Sequence, residues 1–418
     1  MAAESSNGPL GLLGPPNHQV PPAPPPAEPL NVIIIGAGIA GLASAAALRQ
    51  AGHKSRFANE VGAAIHVGPN ATRALEFLGY DAARLRGVIC AGISVHESAS
   101  AKQVIEIDTS DAKSKYGYQW YLVHRVDLHN ELKLLALAPR QGNLIPELHL
   151  SSKVESIDPE AGAVTLQNGD THYADLVIGA DGVYSVSREA VFGADKPYAV
   201  GDSCYRFVLD SNEIYDDPKC LAMKRGNGYC RIIASPTKRV VIYPCRNDEL
   251  LNFVCIHPQG TETDDTDWQT ESSTEDLLES YSDFAPSVLA CLKKAKDVKH
   301  WQLLQRHPIP SWVKGRFALV GDAAHPMLPH QAQGGAQSLE DAVTLGPLLR
   351  FGTTASQVPG ILTLYQQCRH PRASTIVQMS RDQKAGERTI SPQITNDFIF
   401  AHDAAAYAKH TRASVLII

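Results

Sequence analysis

Three glycines near the start of the chain have a spacing that suits binding of a dinucleotide. Gly36, Gly38 and Gly41 form G-x-G-x-x-G directly after the β-branched run 32–35 and before the alanine- and leucine-rich run 42–48. The first run favours a buried strand and the second a helix. In such a unit the glycines permit the tight turn, the approach of a pyrophosphate and close helix packing, in that order. The helix N-terminus then faces the phosphates with free N–H groups. The glycines also argue against a membrane span in this apolar stretch.

Two later stretches place acidic residues in turns that follow predicted strands. They are GADGVYSVSR at 179–188 and GDAAHPMLPHQAQGGAQSLEDA at 321–342. Asp322 comes directly after the apolar run 317–320, where its carboxylate can accept hydrogen bonds from sugar hydroxyls. A turn or helix cap is the alternative use of the same side chain. The two stretches therefore predict further contacts to a nucleotide-like ligand.

Together, the three stretches closely resemble the group A flavoprotein monooxygenases, the single-component FAD- and NAD(P)H-dependent aromatic hydroxylases. The resemblance runs from about residue 31 to residue 381, and the P-x-Q-A-Q-G form of the third stretch is similar to the salicylate-hydroxylase-like branch. The resemblance implies FAD and NAD(P)H as cofactors. It also implies the following cofactor-binding residues: Gly36, Gly38, Gly41, Ala63, Ala64, Arg125, Asp181, Asp322, Pro326, Gly335 and Ala336.

The residues outside the fingerprints have separate roles by this resemblance. Arg125 suits a pyrophosphate or ribose, with a surface ion pair as the alternative. Ala63 and Ala64 match small residues that pass close to the ribose or flavin. Pro326 stiffens a loop beside the flavin ring. Gly335 opens a helix whose N-terminus would stabilise the negative charge of reduced flavin.

Arg206 and Tyr243 are the candidate catalytic residues, on the predicted strands CYRFVL and VVIYPC. Their positions resemble the arginine and tyrosine of fungal phenol-dearomatising hydroxylases from polyketide pathways. A cation beside a phenol lowers its pKa from about 10, and a tyrosine hydroxyl can donate a hydrogen bond to the same oxygen. The alternative for each residue is a place in the sheet with a local partner.

The resemblance implies that an oxygen atom of O2 is transferred to a small phenolic substrate, which is hydroxylated or dearomatised, in fungal secondary metabolism. A salicylate-type catabolic hydroxylase is one alternative. Another is a flavin oxidoreductase that inserts no oxygen, and a third is a defective FAD-binding remnant.

The third alternative depends on residues 53–59, HKSRFAN, which depart from the expected pattern. A dinucleotide-binding unit has a second strand that ends in a carboxylate about 20 residues beyond the glycines. Buried parallel strands are nearly continuous in Val, Ile and Leu, whereas this segment has one large apolar residue. We therefore expect this strand to be missing, Glu60 to match the ribose ligand in spacing alone, and FAD binding to be weakened.

The order of predicted elements indicates an α/β fold: a Rossmann-like FAD-binding domain with an inserted antiparallel-sheet substrate domain and C-terminal helices. Alternating apolar and polar residues between about 200 and 255 favour the antiparallel sheet. The predicted units are a disordered proline-rich tail over 1–30, the FAD-binding domain over 31–199 and 301–350, the substrate domain over 200–300 and a helical region over 351–418.

Composition limits the remaining possibilities. The chain has 418 residues, of which 44% are hydrophobic, so two or three units with large cores are expected. A net charge of −6 favours neither nucleic acid nor an anionic membrane as a partner. Eight cysteines without a C-x-x-C pair predict reduced thiols and no metal site. With no targeting signal evident, a cytoplasmic location is the default expectation. The sequence fixes neither the oligomeric state nor the choice between NADH and NADPH.

Overall fold

The computed structural model describes residues 28–57, 64–139, 146–193, 196–259, 270–385 and 392–415. The strands in this part of the chain are β1 (Asn31–Ile35), β2 (Lys54–Phe57), β3 (Ala64–Val67), β4 (Val88–Ile89), β5 (Gly92–Glu97), β6 (Gln103–Asp108), β7 (Tyr121–His124), β8 (Glu147–Leu148), β9 (Val154–Asp158), β10 (Ala163–Leu166), β11 (Thr171–Tyr173), β12 (Leu176–Gly179), β13 (Tyr198–Asp210), β14 (Tyr229–Ala234), β15 (Arg239–Cys245), β16 (Leu250–Pro258), β17 (Thr270–Glu271), β18 (Lys299–Gln305), β19 (Val313–Lys314) and β20 (Phe317–Leu319).

The helices in the same residues are α1 (Ile39–Gln50), α2 (Pro69–Leu78), α3 (Ala82–Leu85), α4 (Ala112–Tyr116), α5 (Arg125–Leu137), α6 (Val186–Phe192), α7 (Ser211–Tyr215), α8 (Thr274–Ser280), α9 (Pro286–Leu292), α10 (Gly334–Leu348), α11 (Val358–Ala385), α12 (Pro392–Phe400) and α13 (Ala404–Val415). Of the predicted proline-rich tail, residues 1–27 lie outside the described residues.

The first sheet is mostly parallel, with strand order β19-β20-β12-β1-β2-β8. Its strand β12 is buried along its whole length, because Leu176–Gly179 is apolar throughout. Helix α1 packs against α10 and α5. The expected strand–turn–helix unit after residue 31 is confirmed. Strand β7 leads directly into helix α5 at Arg125.

The expectation that the second strand is missing is wrong. Lys54–Phe57 forms β2, which pairs in parallel with β1 and with the short strand β8. The polar sequence is tolerated here because backbone pairing does not require apolar side chains, and Lys54 at the start of the strand is exposed. The strand lies next to the edge of the sheet, where only two residues of β8 follow it. Glu60 lies outside the described residues.

Two glycines of the fingerprint allow the turn after β1. Gly36 has a φ of +103°, which L side chains rarely adopt, and a Cβ there would lie 2.4 Å from the carbonyl oxygen of Ala180. A Cβ on Gly41 would lie 2.0 Å from the carbonyl oxygen of Gly36. Helix α1 can therefore approach β1 and the loop after β12 as closely as the sequence analysis predicts.

The second sheet has strand order β17-β18-β13-β16-β15-β14-β5-β6. Its neighbours are antiparallel, as predicted, except that β14 and β5 are parallel. The strands β5 and β6 come from residues 92–108, so the sheet draws on chain that precedes residue 200 as well as on 200–300. Two smaller sheets have the orders β3-β7-β4 and β11-β10-β9. A turn at Asn168 and Gly169 joins β10 to β11.

One face of the second sheet packs against helices α8 and α9. Residues that alternate along the strands, such as Phe207, Phe253 and Ile242, form a core with Leu277 and Val288 of these helices. Side chains at the intervening positions point to the opposite face, because successive side chains of a strand alternate. That opposite face is directed toward the first sheet.

The C-terminal helices are confirmed within the described residues. Arg372 of α11 donates hydrogen bonds to the carbonyl oxygens of Phe398 (2.7 Å) and Ile399 (2.8 Å), which attaches α12 to α11. Helix α13 packs against α10 and α11. None of the described helices combines the length and apolar character that a membrane crossing needs.

Candidate active site

A cavity of about 500 Å³ lies between the glycine turn after β1 and the second sheet. Many of the residues predicted from the sequence line it: Gly36, Gly38, Ala64, Arg125, Asp181, Arg206, Tyr243, Asp322 and Gly335. These residues come from segments that lie far apart in the sequence, and the fold brings them together around one cavity.

Three of the predicted residues do not line this cavity, and a fourth falls outside the described residues. Gly41 lies in α1 and serves the close packing described above. Pro326 lines a smaller adjoining cavity of about 200 Å³, which it shares with Arg206 and Asp322. Ala336 is buried within α10. Ala63 lies outside the described residues.

The glycine turn forms one end of the cavity. Gly38 is the N-cap of α1, and no side chain caps this helix end. The first N–H groups of a helix have no partner within the helix, so they are available to an anionic group. The bare turn, the helix end and the volume in front of them fit a dinucleotide cofactor.

Asp181 lines the cavity, but its carboxylate has local partners. It accepts hydrogen bonds from the Ser185 hydroxyl (2.6 Å), the Ser187 backbone N–H (2.9 Å) and the Ser187 hydroxyl (2.5 Å). These bonds fix the turn that leads into α6. A cofactor that contacts Asp181 would therefore bind a carboxylate that already accepts hydrogen bonds from this turn.

Asp322 and the start of α10 form another wall. Asp322 follows β20 in a short 3-10 turn over Gly321–Ala323, and its side chain is exposed. Helix α10 begins at Gly334, again without a side-chain cap. A carboxylate and an uncapped helix N-terminus thus face the same cavity, where one can accept hydrogen bonds from hydroxyls and the other can stabilise negative charge.

A buried ionic network behind this wall holds the turn in place. Asp341 of α10 accepts hydrogen bonds from the Gly321 N–H (2.8 Å) and from Arg369 Nε (2.8 Å), and His325 Nε2 lies 2.7 Å from the same carboxylate. Burial alone would raise the pKa of Asp341, but His325 and Arg369 hold it below its usual range. Asp341 therefore remains ionised inside the protein.

Glu340, the neighbour of Asp341, joins the same network. It accepts hydrogen bonds from Arg369 Nη1 (2.6 Å), Arg372 Nε (2.8 Å) and Asn70 Nδ2 (2.7 Å). Burial opposes ionisation here too, yet the two arginines hold the pKa of Glu340 well below its usual range. The network links α10, α11 and α2 around the cavity wall.

The second sheet supplies the far end of the cavity. Arg206 on β13 lies opposite Val254 on β16, which lies opposite Val241 on β15, and Tyr243 is two residues further along β15. Directly opposite residues share a face of a sheet, as do residues two apart. The arginine and the tyrosine therefore share the apolar face that lines the cavity.

Arg206 and Tyr243 both keep hydrogen-bonding capacity. The Arg206 guanidinium stacks over the Trp301 ring at 4.6 Å, and its Nε is buried with no hydrogen-bond partner in the described part of the chain. Burial raises the pKa of the Tyr243 hydroxyl well above its usual range, against the opposing effect of Arg206. The tyrosine is therefore a protonated hydrogen-bond donor near a cation.

The sequence analysis missed two residues at this end. Trp301 on β18 stacks against Arg206 on β13. These two strands become neighbours only in the folded sheet. His66 on β3 also lines the cavity and lies edge-on to Tyr243, with ring centroids 4.6 Å apart. Side chains alternate between the two sides of a strand, so a strand over Ala64–Val67 places His66 on the same side as Ala64. This spacing was the signal in the sequence that could have identified His66.

No three His, Cys, Asp or Glu side chains among the described residues are grouped in a way that could hold a metal ion. All eight cysteines are free thiols and buried. The cavity offers main-chain N–H groups, arginines and a tyrosine as hydrogen-bond donors and carboxylates as acceptors, which suit a nucleotide and an organic substrate.

Comparison with known proteins agrees with this geometry. The pattern of the FAD binding domain family matches residues 102–380. The chain is 39% identical to the FAD-dependent monooxygenase cfoG of Aspergillus candidus, over 91% of each chain. It is 36% identical to hispidin-3-hydroxylase of Neonothopanus nambi, over 85% of this chain and 88% of that one. A solved salicylate hydroxylase substrate complex superposes with a TM-score of 0.75 at 25% identity, covering 92% of this chain and 98% of that one.

The chain therefore belongs to the FAD binding domain family, among the FAD-dependent monooxygenases. Its cofactor is FAD, with NAD(P)H as the reductant typical of this family. The resemblance stated from the three sequence stretches is confirmed.

Proposed function

We propose that this chain uses FAD, NAD(P)H and O2 to hydroxylate a small phenolic compound in the cavity between its two large sheets. The observation that carries the proposal is the shared cavity: the glycine turn that fits the cofactor and the pair Arg206 and Tyr243 line the same space. A phenol placed between them would have its oxygen near a cation and its ring against apolar side chains.

The protein's own groups have distinct parts in this proposal. The N-terminus of α1 and Arg125 would hold the cofactor's pyrophosphate, and Asp322 its hydroxyls. Bound FAD, once reduced by NAD(P)H, would supply the activation of O2. The N-terminus of α10 would favour the negative charge that reduction brings.

Arg206 and Tyr243 would act on the substrate. Arg206 would stabilise the phenolate, which is the more electron-rich and more reactive form, and Tyr243 would donate a hydrogen bond to the same oxygen. Val241, Val254 and Ile256 would hold the ring and exclude water. In this proposal, residues around the first sheet bind the cofactor and residues of the second sheet bind the substrate.

The defective-remnant alternative loses its support, because β2 is present and pairs on both sides. Hispidin-3-hydroxylase is a named relative that acts on a phenolic compound, which supports the phenolic substrate class proposed here. The fungal relatives fit a role in fungal secondary metabolism.

The test combines a spectrum with isotope labelling. The purified protein should be yellow, and a phenol that it accepts should accelerate NAD(P)H oxidation and gain one oxygen atom from 18O2, detected by mass spectrometry. A colourless protein that cannot be reconstituted with FAD would contradict the cofactor assignment. Phenol-dependent NAD(P)H oxidation with no labelled product would favour the oxidoreductase that inserts no oxygen.

A further inference from the structure

His66 lines the substrate end of the cavity with hydrogen-bonding capacity that the protein does not use. Its Nε2 lies 3.9 Å from the Sγ atom of Cys230, and a thiol is a weak partner. Its Nδ1 is buried with no hydrogen-bond partner in the described part of the chain. Leaving a buried polar atom unpaired is costly, so a ligand that offers a partner would recover free energy.

The charge state of His66 restricts what that ligand group can be. Burial lowers the pKa of His66 to about 4, so the imidazole is neutral near pH 7. A neutral imidazole has one N–H donor and one acceptor nitrogen. It therefore suits a hydroxyl or carbonyl oxygen, whereas the two arginines lining the cavity would take up a negative charge.

The position of His66 separates its role from that of Arg206. The His66 ring contacts Tyr243 edge-on, on the β15 side of the cavity. Arg206 lies on β13 and stacks over Trp301 of β18. Strand β16 lies between β13 and β15. His66 reaches the cavity from β3 of a smaller sheet, whereas Arg206 reaches it from β13 of the second sheet. The two side chains therefore approach a bound ring from different elements of the fold.

We propose that His66 binds a second oxygen substituent of the phenolic substrate, so that the site prefers dihydroxylated rings over monophenols. The inference rests on the proposed function, since it assumes that a phenol occupies this cavity. It adds a specificity-determining residue and narrows the substrate class to rings that carry two oxygen functions.

The experiment measures binding to the FAD-loaded protein through the change in the flavin absorption spectrum. The probes are phenol and the three dihydroxybenzenes: catechol, resorcinol and hydroquinone. We expect at least one dihydroxybenzene to bind about 3- to 10-fold more tightly than phenol, the range for one neutral hydrogen bond. His66→Phe should abolish this preference and leave the flavin content of the protein unchanged.

Two further variants make the result specific. His66→Gln retains hydrogen-bonding groups and should keep part of the preference, whereas His66→Leu provides a second apolar replacement if the phenylalanine does not fit. His172→Phe changes a half-buried histidine of β11 outside this cavity and should keep the full preference.

The outcomes separate the inference from the proposed function. If the wild-type protein binds phenol and dihydroxybenzenes equally, or if His66→Phe and His66→Leu keep the preference, the role of His66 is refuted while the phenol site stands. If none of the four probes, nor any larger phenol, binds the FAD-loaded protein or accelerates NAD(P)H oxidation, the proposed function itself fails.

Discussion

At the residue scale, the proposed function gives different parts to two side chains that line the cavity. In that proposal Asp322 contacts the cofactor and Arg206 contacts the substrate. Both also border the smaller adjoining cavity, so they lie where the two spaces meet. Their substitution should therefore have different signatures, one on cofactor retention and the other on product formation.

Asp322→Ala should weaken FAD retention and leave the fold intact, because an exposed carboxylate that accepts hydrogen bonds is lost without disturbing the core. Hydrogen bonds to a charged acceptor contribute about 1.5–3 kcal/mol, or roughly 10- to 150-fold in affinity. Flavin content after gel filtration and the dissociation constant of added FAD give the measurement. Glu279→Ala removes an exposed carboxylate on α8, outside the cavity, and should retain FAD fully. Equal flavin content in both variants would refute the assignment.

Arg206→Ala should lose product formation far more than FAD content, because Arg206 lies on the second sheet and not on a cofactor motif. Loss of the charge that stabilises a phenolate should lower kcat/KM about 10- to 150-fold near pH 7. Raising the pH toward the phenol's own pKa, about 10, should partly restore the variant, since solvent then removes the proton. Tyr243→Phe should show a smaller loss, because one hydrogen bond and no charge is removed. Product formation by Arg206→Ala at the wild-type rate would show that the substrate is held elsewhere.

At the element scale, α10 connects the cofactor wall to the rest of the protein. Its N-terminus lines the cavity, and its buried acidic pair holds the Gly321 turn on one side and α11 on the other. Tyr365 of α11 also donates a hydrogen bond to the carbonyl oxygen of Leu319 (3.0 Å), at the end of β20. The position of the turn that carries Asp322 is thus set by two helices.

Asp341→Asn should both destabilise the protein and weaken FAD binding. It leaves Arg369 buried with one fewer charged partner, and breaking a buried ion pair costs about 3–5 kcal/mol. It also alters the acceptor for the Gly321 N–H, which positions the turn. The midpoint of urea unfolding and the dissociation constant of FAD should shift together.

A surface ion pair provides the control for Asp341→Asn. Lys296 donates a hydrogen bond to Glu213 at 2.9 Å, but 66% of the lysine side chain is exposed. Lys296→Met should change the free energy of unfolding by less than about 1 kcal/mol, because solvent screens exposed pairs. An Asp341→Asn protein as stable as this control would show that the buried network is not needed to hold the turn.

At the scale of the whole molecule, the C-terminal helices close the structure behind α10. Arg73 of α2 donates hydrogen bonds to the carbonyl oxygens of Phe400 (3.2 Å) and His402, next to the bonds that Arg372 makes with the end of α12. The His402 Nε2 is buried there with no hydrogen-bond partner in the described residues. Burial and the nearby Arg372 lower the pKa of His402 to about 4.

The protein should lose stability as the pH falls from 7 to 5. The folded-state pKa of His402, about 4, lies below the ordinary value of 6.5, so the unfolded chain binds more protons between these values. The free energy of unfolding therefore rises with pH across this window and falls on acidification, by up to about 1.4 kcal/mol per pH unit for each such histidine.

Substitution of His402 tests this cause. His402→Gln should make the loss of stability between pH 7 and pH 5 smaller by up to about 2 kcal/mol, as measured by urea unfolding at each pH. His410→Gln changes an exposed histidine of α13 and should leave the pH dependence as in the wild type. Identical slopes for the wild type and His402→Gln would mean that other groups control the acid sensitivity.

The sequence by itself determined the elements that depend on local chemistry. The glycine spacing at 36–41 predicted the strand, turn and helix, since only glycine tolerates the φ of Gly36 and the close approach at Gly41. Alternation along 200–255 predicted the second sheet, because a strand that packs on one face repeats every two residues. The Gly-Asp pair at 321–322 was likewise placed correctly at the end of a strand.

Only the tertiary structure decided features that depend on residues far apart in the chain. The strand at Lys54–Phe57 exists because β1 and β8 offer it backbone partners, which its polar sequence does not reveal. The parallel pair of β14 and β5 joins segments more than 100 residues apart. Likewise, His66 meets Tyr243, and Asp341 meets Arg369, through the packing of different elements. Local sequence patterns indicate which backbone geometry a segment favours. Which other segment it pairs or packs with is decided only when the whole chain folds around a common core.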